Sequence, residues 1–302
     1  MAREHARAFS DVPGVKLAGI HSRTRARAET LASEFAIPRV CDSVENLYEQ
    51  TRADLVVVTV LEIAMNAVAR VCFAFPWTVL LEKPPGYNLA DAEEIAAAAR
   101  EHRSRVFVAL NRRFYSSTRA AAARLAKIDG QRFIKVQDQQ DQATALQAGQ
   151  PEPVVRNWMF ANSIHVIDYL RLFGRGSVVR VKPVIAWNPG APGIVVCEIE
   201  FSSGDFGLYE GIWNGPGPWA VTVNTPAERW ELRPLEQAVF QVRGERRLQS
   251  VEAHSWDRNF KPGFRLQAET AVAAALGHES SAVSLEEALE TMRLIHAIFT
   301  AR

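Results

Sequence analysis

The chain has 302 residues, with 35 Lys and Arg against 34 Asp and Glu and a formal net charge of +1. That length allows two domains and a large core, and the near-neutral charge excludes a bulk pull toward nucleic acid or an anionic membrane. No apolar run approaches the ~20 residues of a bilayer span, and the polar start Met1-Ala-Arg-Glu-His-Ala-Arg has no signal-peptide core.

The first hundred residues alternate between apolar runs and helical periodicity. Helix is expected over 3–9, strand over 15–21, helix over 25–35 and 42–50, and a strong buried strand over 54–60. Helix 65–74, strand 78–81, helix 91–102 and strand 105–110 complete the series. Helix 91–102 carries acids in its first turn and bases in its last, as the macrodipole favours. Strands joined by helices and apolar on both faces predict an α/β Rossmann-type, doubly wound parallel sheet.

The pattern changes near Asn111. After a helix over 117–127, strands dominate: 132–138, 178–187, 194–201, 207–213, 220–225, 229–232, 238–242 and 246–251, separated by Gly- and Pro-rich turns. One helical insert covers 157–173. Ser284-Leu-Glu-Glu287 reads as a capping box opening a last helix through 299. These elements predict an α+β domain with a mostly antiparallel open sheet. The expected division is therefore 1–111 for the dinucleotide-binding domain and 112–302 for a substrate and oligomerisation domain, the last helix packing back on the first.

Leu80-Leu81-Glu82-Lys83-Pro84-Pro85-Gly86 stands out. It places an ammonium group and a carboxylate at the carboxyl end of a strand, the edge where open α/β sheets bind ligands. A lysine held there can donate a proton or a hydrogen bond to a substrate oxygen. The bland alternative is a surface Glu–Lys pair before a proline turn.

The front of the chain lacks a feature. A dinucleotide-binding sheet opens with a strand, a glycine-rich turn and a helix. Here the helix is present, but the strand and the first two glycines are not. Met1-Ala2 fits the end of a G-x-G-x-x-A turn, with Ala2 in the third small-residue slot. A sheet without its central strand leaves buried backbone groups unmet at ~1–3 kcal/mol each, against a domain stability of roughly 5–15 kcal/mol. The expectation is a start about a dozen residues downstream of the true one; the alternative is a true truncation that has lost cofactor binding.

Glu82-Lys83-Pro84, the later strand ending Asn111-Arg112-Arg113-Phe114, and Ser163-Ile164-His165-Val-Ile-Asp168 together resemble the glucose–fructose oxidoreductase/inositol dehydrogenase/MocA (Gfo/Idh/MocA) family. Gly19-Ile20-His21-Ser22-Arg23-Thr24 fits the end of that family's second strand, and the resemblance runs over essentially the whole chain. It implies an NAD(P)-dependent oxidoreductase that transfers a hydride between nicotinamide and a carbinol or carbonyl carbon of a sugar, inositol or related polyol. A homo-oligomer through the C-terminal sheet is expected, and a cytoplasmic protein is the default reading of a chain without signal-peptide core or bilayer span. Two positions depart from the family. Ala161 stands where an acid usually precedes the histidine by four residues, and Leu61 stands where a proline usually follows the third strand.

The resemblance implies Lys83 and His165 as catalytic groups. Ala2, Ser22, Arg23, Thr59, Glu82, Lys83 and Arg112 are the implied cofactor contacts. Lys83, Asn162, His165 and Asp168 are the implied substrate contacts, with Asn162 replacing the missing acid. Oxidising an alcohol needs a base for the hydroxyl proton and a donor for the developing oxyanion. Asp168, one turn after His165, can instead pair locally. Arg113 reads as a sheet-end salt bridge, and Arg112 as a group fixing the Glu82 turn or touching substrate. Tyr115, Trp158 and Trp213 are either a stacking face for a sugar ring or core. Lys83–Pro84, at a strand end before a second proline, is expected to be cis.

At the end of the second strand an acid suits the ribose 2′-hydroxyl of NAD, and an arginine suits the 2′-phosphate of NADP. Ser22 and Arg23 lie there, Arg25 is close by, and no acid comes before Glu29. NADP is thus slightly favoured over NAD. No metal is expected: the seven histidines form no i,i+4 ligand pair, and Cys41, Cys72 and Cys197 lack ligand spacing and read as small buried hydrophobes. Two other readings stay open: a cofactor-deficient binding module of the same fold, and a non-redox lyase or glycosidase that uses NAD transiently.

Overall fold

A computed structural model describes all residues, 1–302. The chain divides into two compact units. The first comprises Met1–Gly86, Ala90–Asn111 and Ser255–Ala288; the second comprises Tyr87–Leu89, Arg112–His254 and Leu289–Arg302.

The first unit opens with α1 (Ala2–Ser10), β1 (Ile20–His21), α2 (Arg25–Glu34), β2 (Val40–Cys41) and α3 (Val44–Thr51). It continues through β3 (Leu55–Val58), α4 (Met65–Phe73), β4 (Thr78–Leu81), α5 (Leu89–Glu101) and β5 (Arg105–Val108). The strands are parallel, as the alternation of elements predicts, but form two ladders, β1–β2 and β3–β4–β5. Only Ile20–His21 of the strand expected over 15–21 is paired, because β2 is the sole neighbour of β1. Val15 and Leu17 instead pack against a core cluster that includes Ala8, Phe9 and Val12.

The second unit begins with α6 (Ser116–Leu125), β6 (Phe133–Gln140), α7 (Gln142–Gln147) and α8 (Glu152–Arg156). A single π-helical turn, Met159–Ser163, leads into α9 (Ile164–Phe173). Then come β7 (Val178–Ile185), β8 (Ile194–Phe201), β9 (Phe206–Trp213), β10 (Ala220–Asn224), β11 (Glu228–Leu232), β12 (Ala238–Val242) and β13 (Gln249–Val251). The eight strands form one sheet in the order β13-β12-β11-β10-β6-β9-β8-β7. Every neighbouring pair is antiparallel except the central β6–β9 pair.

Alternate residues of β6, β8 and β9 are buried, as a sheet with one covered face requires. Tyr209 and Trp213 on that face meet Phe299 of α12 (Leu285–Thr300), at ring-centroid distances of 6.0 and 5.6 Å. At the sheet edge, β7 carries Pro183, which suits a strand with one unpaired side. Its Val179, Val184 and Ile185 are exposed.

Chain segment 255–288, expected in the second domain, belongs to the first unit. It holds α10 (Ser255–Asn259) and α11 (Phe264–Ala275). Phe264, Ala268 and Ala271 of α11 close the same core cluster as Ala8, Phe9, Val12, Leu80 and Ala109. The capping box of α12 forms reciprocally: Ser284 N donates to Glu287 Oε2 at 2.9 Å, and Glu287 N donates to Ser284 Oγ at 3.2 Å. Cys41, Cys72 and Cys197 are free thiols in the core, and burial pushes the Cys72 thiol up to about 12. No helix is long and apolar enough to cross a membrane.

Candidate active site

In the first unit, Glu82 follows the fully buried strand β4 and is itself buried. A carboxylate there needs partners. His5 Nε2 of α1 lies 2.6 Å from Glu82 Oε1, and the Lys83 backbone N–H donates to Oε2 at 3.1 Å. Burial pushes the Glu82 carboxyl up, but the His5 hydrogen bond and charge, with Lys83, outweigh it and hold the group below the usual carboxylate range. The peptide bond Lys83–Pro84 is cis, as expected at this turn. Gly86 closes the turn at φ +135°; a Cβ there would lie 2.5 Å from the Ala92 backbone nitrogen. The turn therefore seats directly against α5, with Lys83 at the carboxyl end of the parallel strands.

The other expected cofactor residues of this unit occupy the same kind of edge. Ser22 and Arg23 follow β1, and Thr59 follows β3. Arg23 is exposed and makes no ion pair, whereas Arg25 is engaged by both Glu29 and Asp42. Ala2 begins α1, whose N-cap Met1 makes no side-chain cap. The first amides of an uncapped helix are donors suited to a phosphate. Ser22 and Arg23 after β1 and Thr59 after β3 are side chains of the kind that suit a dinucleotide's ribose and phosphates.

In the second unit the π-helical turn Met159–Ser163 sets Asn162 and His165. Such turns cluster at functional sites. Asn162 lines a pocket of about 320 Å³ with Gln139, Gln140, Gln150, Trp158 and Trp219. The His165 ring lies beside the Trp219 indole, centroids 6.4 Å apart, and the Arg112 guanidinium stacks on that indole at 4.1 Å. Arg112, expected at the cofactor, is thus part of the wall that holds Trp219. Of the three aromatics considered from sequence, Trp158 lines the pocket, while Tyr115 and Trp213 are core.

Asp168 pairs with groups outside its own helical turn. Arg113 grips its carboxylate with two hydrogen bonds, Nε to Oδ2 at 2.6 Å and Nη2 to Oδ1 at 2.8 Å. Thr291 Oγ1 adds a third to Oδ1 at 2.8 Å. The carboxylate is buried, and both oxygens serve this clamp between α9 and α12 in place of the expected substrate contact. Arg113 is the salt bridge that the sequence suggested.

Sequence reasoning missed a buried polar chain beneath the pocket. Tyr209 Oη donates to Asp138 Oδ2 at 2.8 Å, Gln140 Nε2 donates to Asp138 Oδ1 at 2.6 Å, and Asn162 Nδ2 donates to Gln140 Oε1 at 2.8 Å. Burial raises the Asp138 carboxyl, against the hydrogen bonds from Tyr209 and Gln140 and the charge of Arg112. Gly211 pairs with Asp138 across β6–β9, and a Cβ there would lie 2.9 Å from the Tyr209 hydroxyl. The signal was in the strand: Asp138 and Gln140 share the buried face of Ile134 and Val136. Trp219 was missed because it sits in the Gly- and Pro-rich stretch after Trp213, which carries no periodicity.

Residues 1–110 match the family described as "Oxidoreductase family, NAD-binding Rossmann fold", GFO_IDH_MocA. Human trans-1,2-dihydrobenzene-1,2-diol dehydrogenase is 27% identical over 112 residues, which are 37% of this chain and 34% of that protein; the match spans about a third of the human enzyme's length. Among solved structures, a dehydrogenase from Chromobacterium violaceum superposes with a TM-score of 0.84 at 19% identity, covering 99% of this chain and 90% of that one. An aldose-aldose oxidoreductase from Caulobacter crescentus, complexed with glycerol, gives 0.80 at 18% identity over 99% and 93%. A UDP-N-acetylglucosamine 3-dehydrogenase from Acidithiobacillus ferrooxidans gives 0.78 at 16% identity over 99% and 93%. At these identities the structural matches establish the fold: a Rossmann-type parallel sheet followed by a large, mostly antiparallel one. Over residues 1–110 the chain matches the NAD-binding Rossmann region of the Gfo/Idh/MocA oxidoreductase family.

Proposed function

We propose that the protein is an NAD(P)-dependent oxidoreductase acting at a carbinol or carbonyl carbon of a sugar, inositol or related polyol. The observation that carries this reading is the pocket of the second unit, with two indoles, four amide side chains and His165 against its Trp219 wall. Indole faces suit the C–H face of a sugar ring, and amides suit its hydroxyls. Its one carboxylate, Asp141, is engaged in capping α7 through Thr144 N at 2.9 Å.

The bound nicotinamide supplies the hydride acceptor or donor. Lys83 is assigned the proton exchanged with the substrate oxygen and the stabilisation of its developing negative charge. His165 is assigned the second proton-handling and substrate-binding position, and Asn162 a substrate contact. Ala2, Ser22, Arg23, Thr59 and Glu82 are assigned to the dinucleotide. Arg23 without a carboxylate partner supports NADP over NAD. The exposed Val179, Val184, Ile185 and Ile194 of β7 and β8 are assigned to a homo-oligomer contact through the C-terminal sheet.

The test is a screen of sugars, inositols and linear polyols with NADP+ and NAD+, followed by the absorbance of reduced nicotinamide. Substrate-dependent reduction, faster with NADP+, is expected. Cofactor binding without turnover on any polyol or sugar would favour a binding module.

A further inference from the structure

We propose that the buried chain Tyr209–Asp138–Gln140–Asn162 sets the polarity of the pocket, fixing Asn162 Oδ1 as a hydrogen-bond acceptor that selects a ligand hydroxyl. This rests on the pocket being the substrate site. Asp138 and Gln140 act through Asn162 and are positioning residues.

With Asp138 accepting at Oδ1, the direction of each hydrogen bond follows. Asp138 is buried and presents acceptor oxygens. Tyr209 Oη occupies Oδ2, so Oδ1 takes an N–H from Gln140, at 2.6 Å. The Gln140 amide cannot turn over, because its oxygen would then face a carboxylate oxygen. Its Oε1 therefore points to Asn162, which must answer with Nδ2, at 2.8 Å. The order holds in either protonation state of Asp138, provided any proton sits on Oδ2, shared with Tyr209. Asn162 Oδ1 is left to the pocket, and no group of the chain donates to it.

The other amides in the wall repeat the pattern. Gln139 Nε2 is taken by the Gly215 carbonyl at 2.7 Å. Gln150 Oε1 is buried in the wall without a hydrogen-bond partner. Trp219 Nε1 is taken by the Gln139 carbonyl at 2.7 Å. Gln139, Gln140, Asn162 and Trp219 thus commit their nitrogens inside the protein, and Asn162 turns its amide oxygen to the pocket. Such a surface matches a donor, the hydroxyl of a polyol, and leaves an ether or a fluorine at the same place facing oxygen.

The experiment uses full-length protein with ¹⁵N-labelled asparagine, the Asn162 side-chain signal being assigned by its loss in Asn162→Asp. In the wild type one Asn162 amide proton should be shifted downfield and exchange slowly; a solvent-like signal would overturn the proposal. Glycerol, which donates, should move this signal saturably, while 1,2-dimethoxyethane, which only accepts, should not. No response to glycerol, or an equal response to both, would overturn it. Asp138→Asn allows the whole chain to reverse and Asn162 to present its nitrogen, so the preference for glycerol should fall about tenfold or more. An unchanged preference in a folded variant would contradict the assigned role, and the wild-type readings decide if that variant does not fold. None of these readouts needs turnover, so failure of the oxidoreductase reading would register separately, in the nicotinamide screen.

Discussion

His5 Nε2 and the Glu82 carboxylate lie 2.6 Å apart, both buried, and join α1 to the turn that carries Lys83. The contact couples the helix start expected to meet the dinucleotide with the strand end expected to meet the substrate.

His5→Ala should therefore destabilise the protein by about 3 kcal/mol, the scale for leaving one buried charge of a pair without its partner. Urea unfolding of the wild type and the variant measures it. Glu82→Gln in the His5→Ala background should cost little more, because the uncompensated charge is gone.

The Glu82 carboxyl is held below its ordinary value of 4.5 in the folded protein. The unfolded chain then binds the proton more readily, so the Glu82 contribution is fully present above pH 4.5 and is lost as pH falls through the lower folded value. Asp138 has the opposite sign. Burial holds its folded value above the ordinary 3.8, so stability falls as pH rises from 3.8 through the folded value. Asp138→Asn should abolish this second dependence and His5→Ala should reduce the first, both read from unfolding midpoints against pH.

The Asp168 clamp predicts graded effects. Arg113→Leu strands a buried carboxylate and should cost about 3 kcal/mol, while Thr291→Val removes one of three hydrogen bonds and should cost about 1 kcal/mol. Denaturant midpoints check the order; equal and negligible losses would show that the clamp is not a stabilising element.

Arg23 is the test of cofactor preference. Arg23→Ala should raise the KM for NADP about tenfold, the scale of one hydrogen bond to a charged group, and leave that for NAD nearly unchanged. A parallel change in both would place the arginine on the shared part of the dinucleotide.

Much of this arrangement was legible in the residues. The strand–helix alternation, the strand end at Glu82-Lys83-Pro84, the capping box at Ser284 and the long alternating strands follow from local chemistry. The anomaly on β6, where Asp138 and Gln140 continue the buried face of Ile134 and Val136, was missed although the strand's alternation carries it. What was not legible depends on distant partners. Arg113 and Asp168 are 55 residues apart, and nothing local distinguishes their clamp from an Asp serving His165. Thr291 lies 123 residues from Asp168. The first unit recovers α11 from late in the chain because its Ala-rich face fits the core cluster around Phe9 and Leu80. Trp219 gains its place from Arg112 and His165, not from its own neighbours in sequence.

The account stands most directly on hydride transfer from a polyhydroxylated substrate with Lys83 handling the proton. The measurement is turnover of a polyol deuterated at its carbinol carbon with NADP+ or NAD+, in the wild type and in Lys83→Ala, with mass analysis of the reduced nicotinamide. The account predicts deuterium in the nicotinamide, a kcat lowered ~10²–10⁴-fold by the substitution, and cofactor affinity held within a few-fold. Turnover without deuterium transfer, or a kcat unchanged in Lys83→Ala, would contradict it.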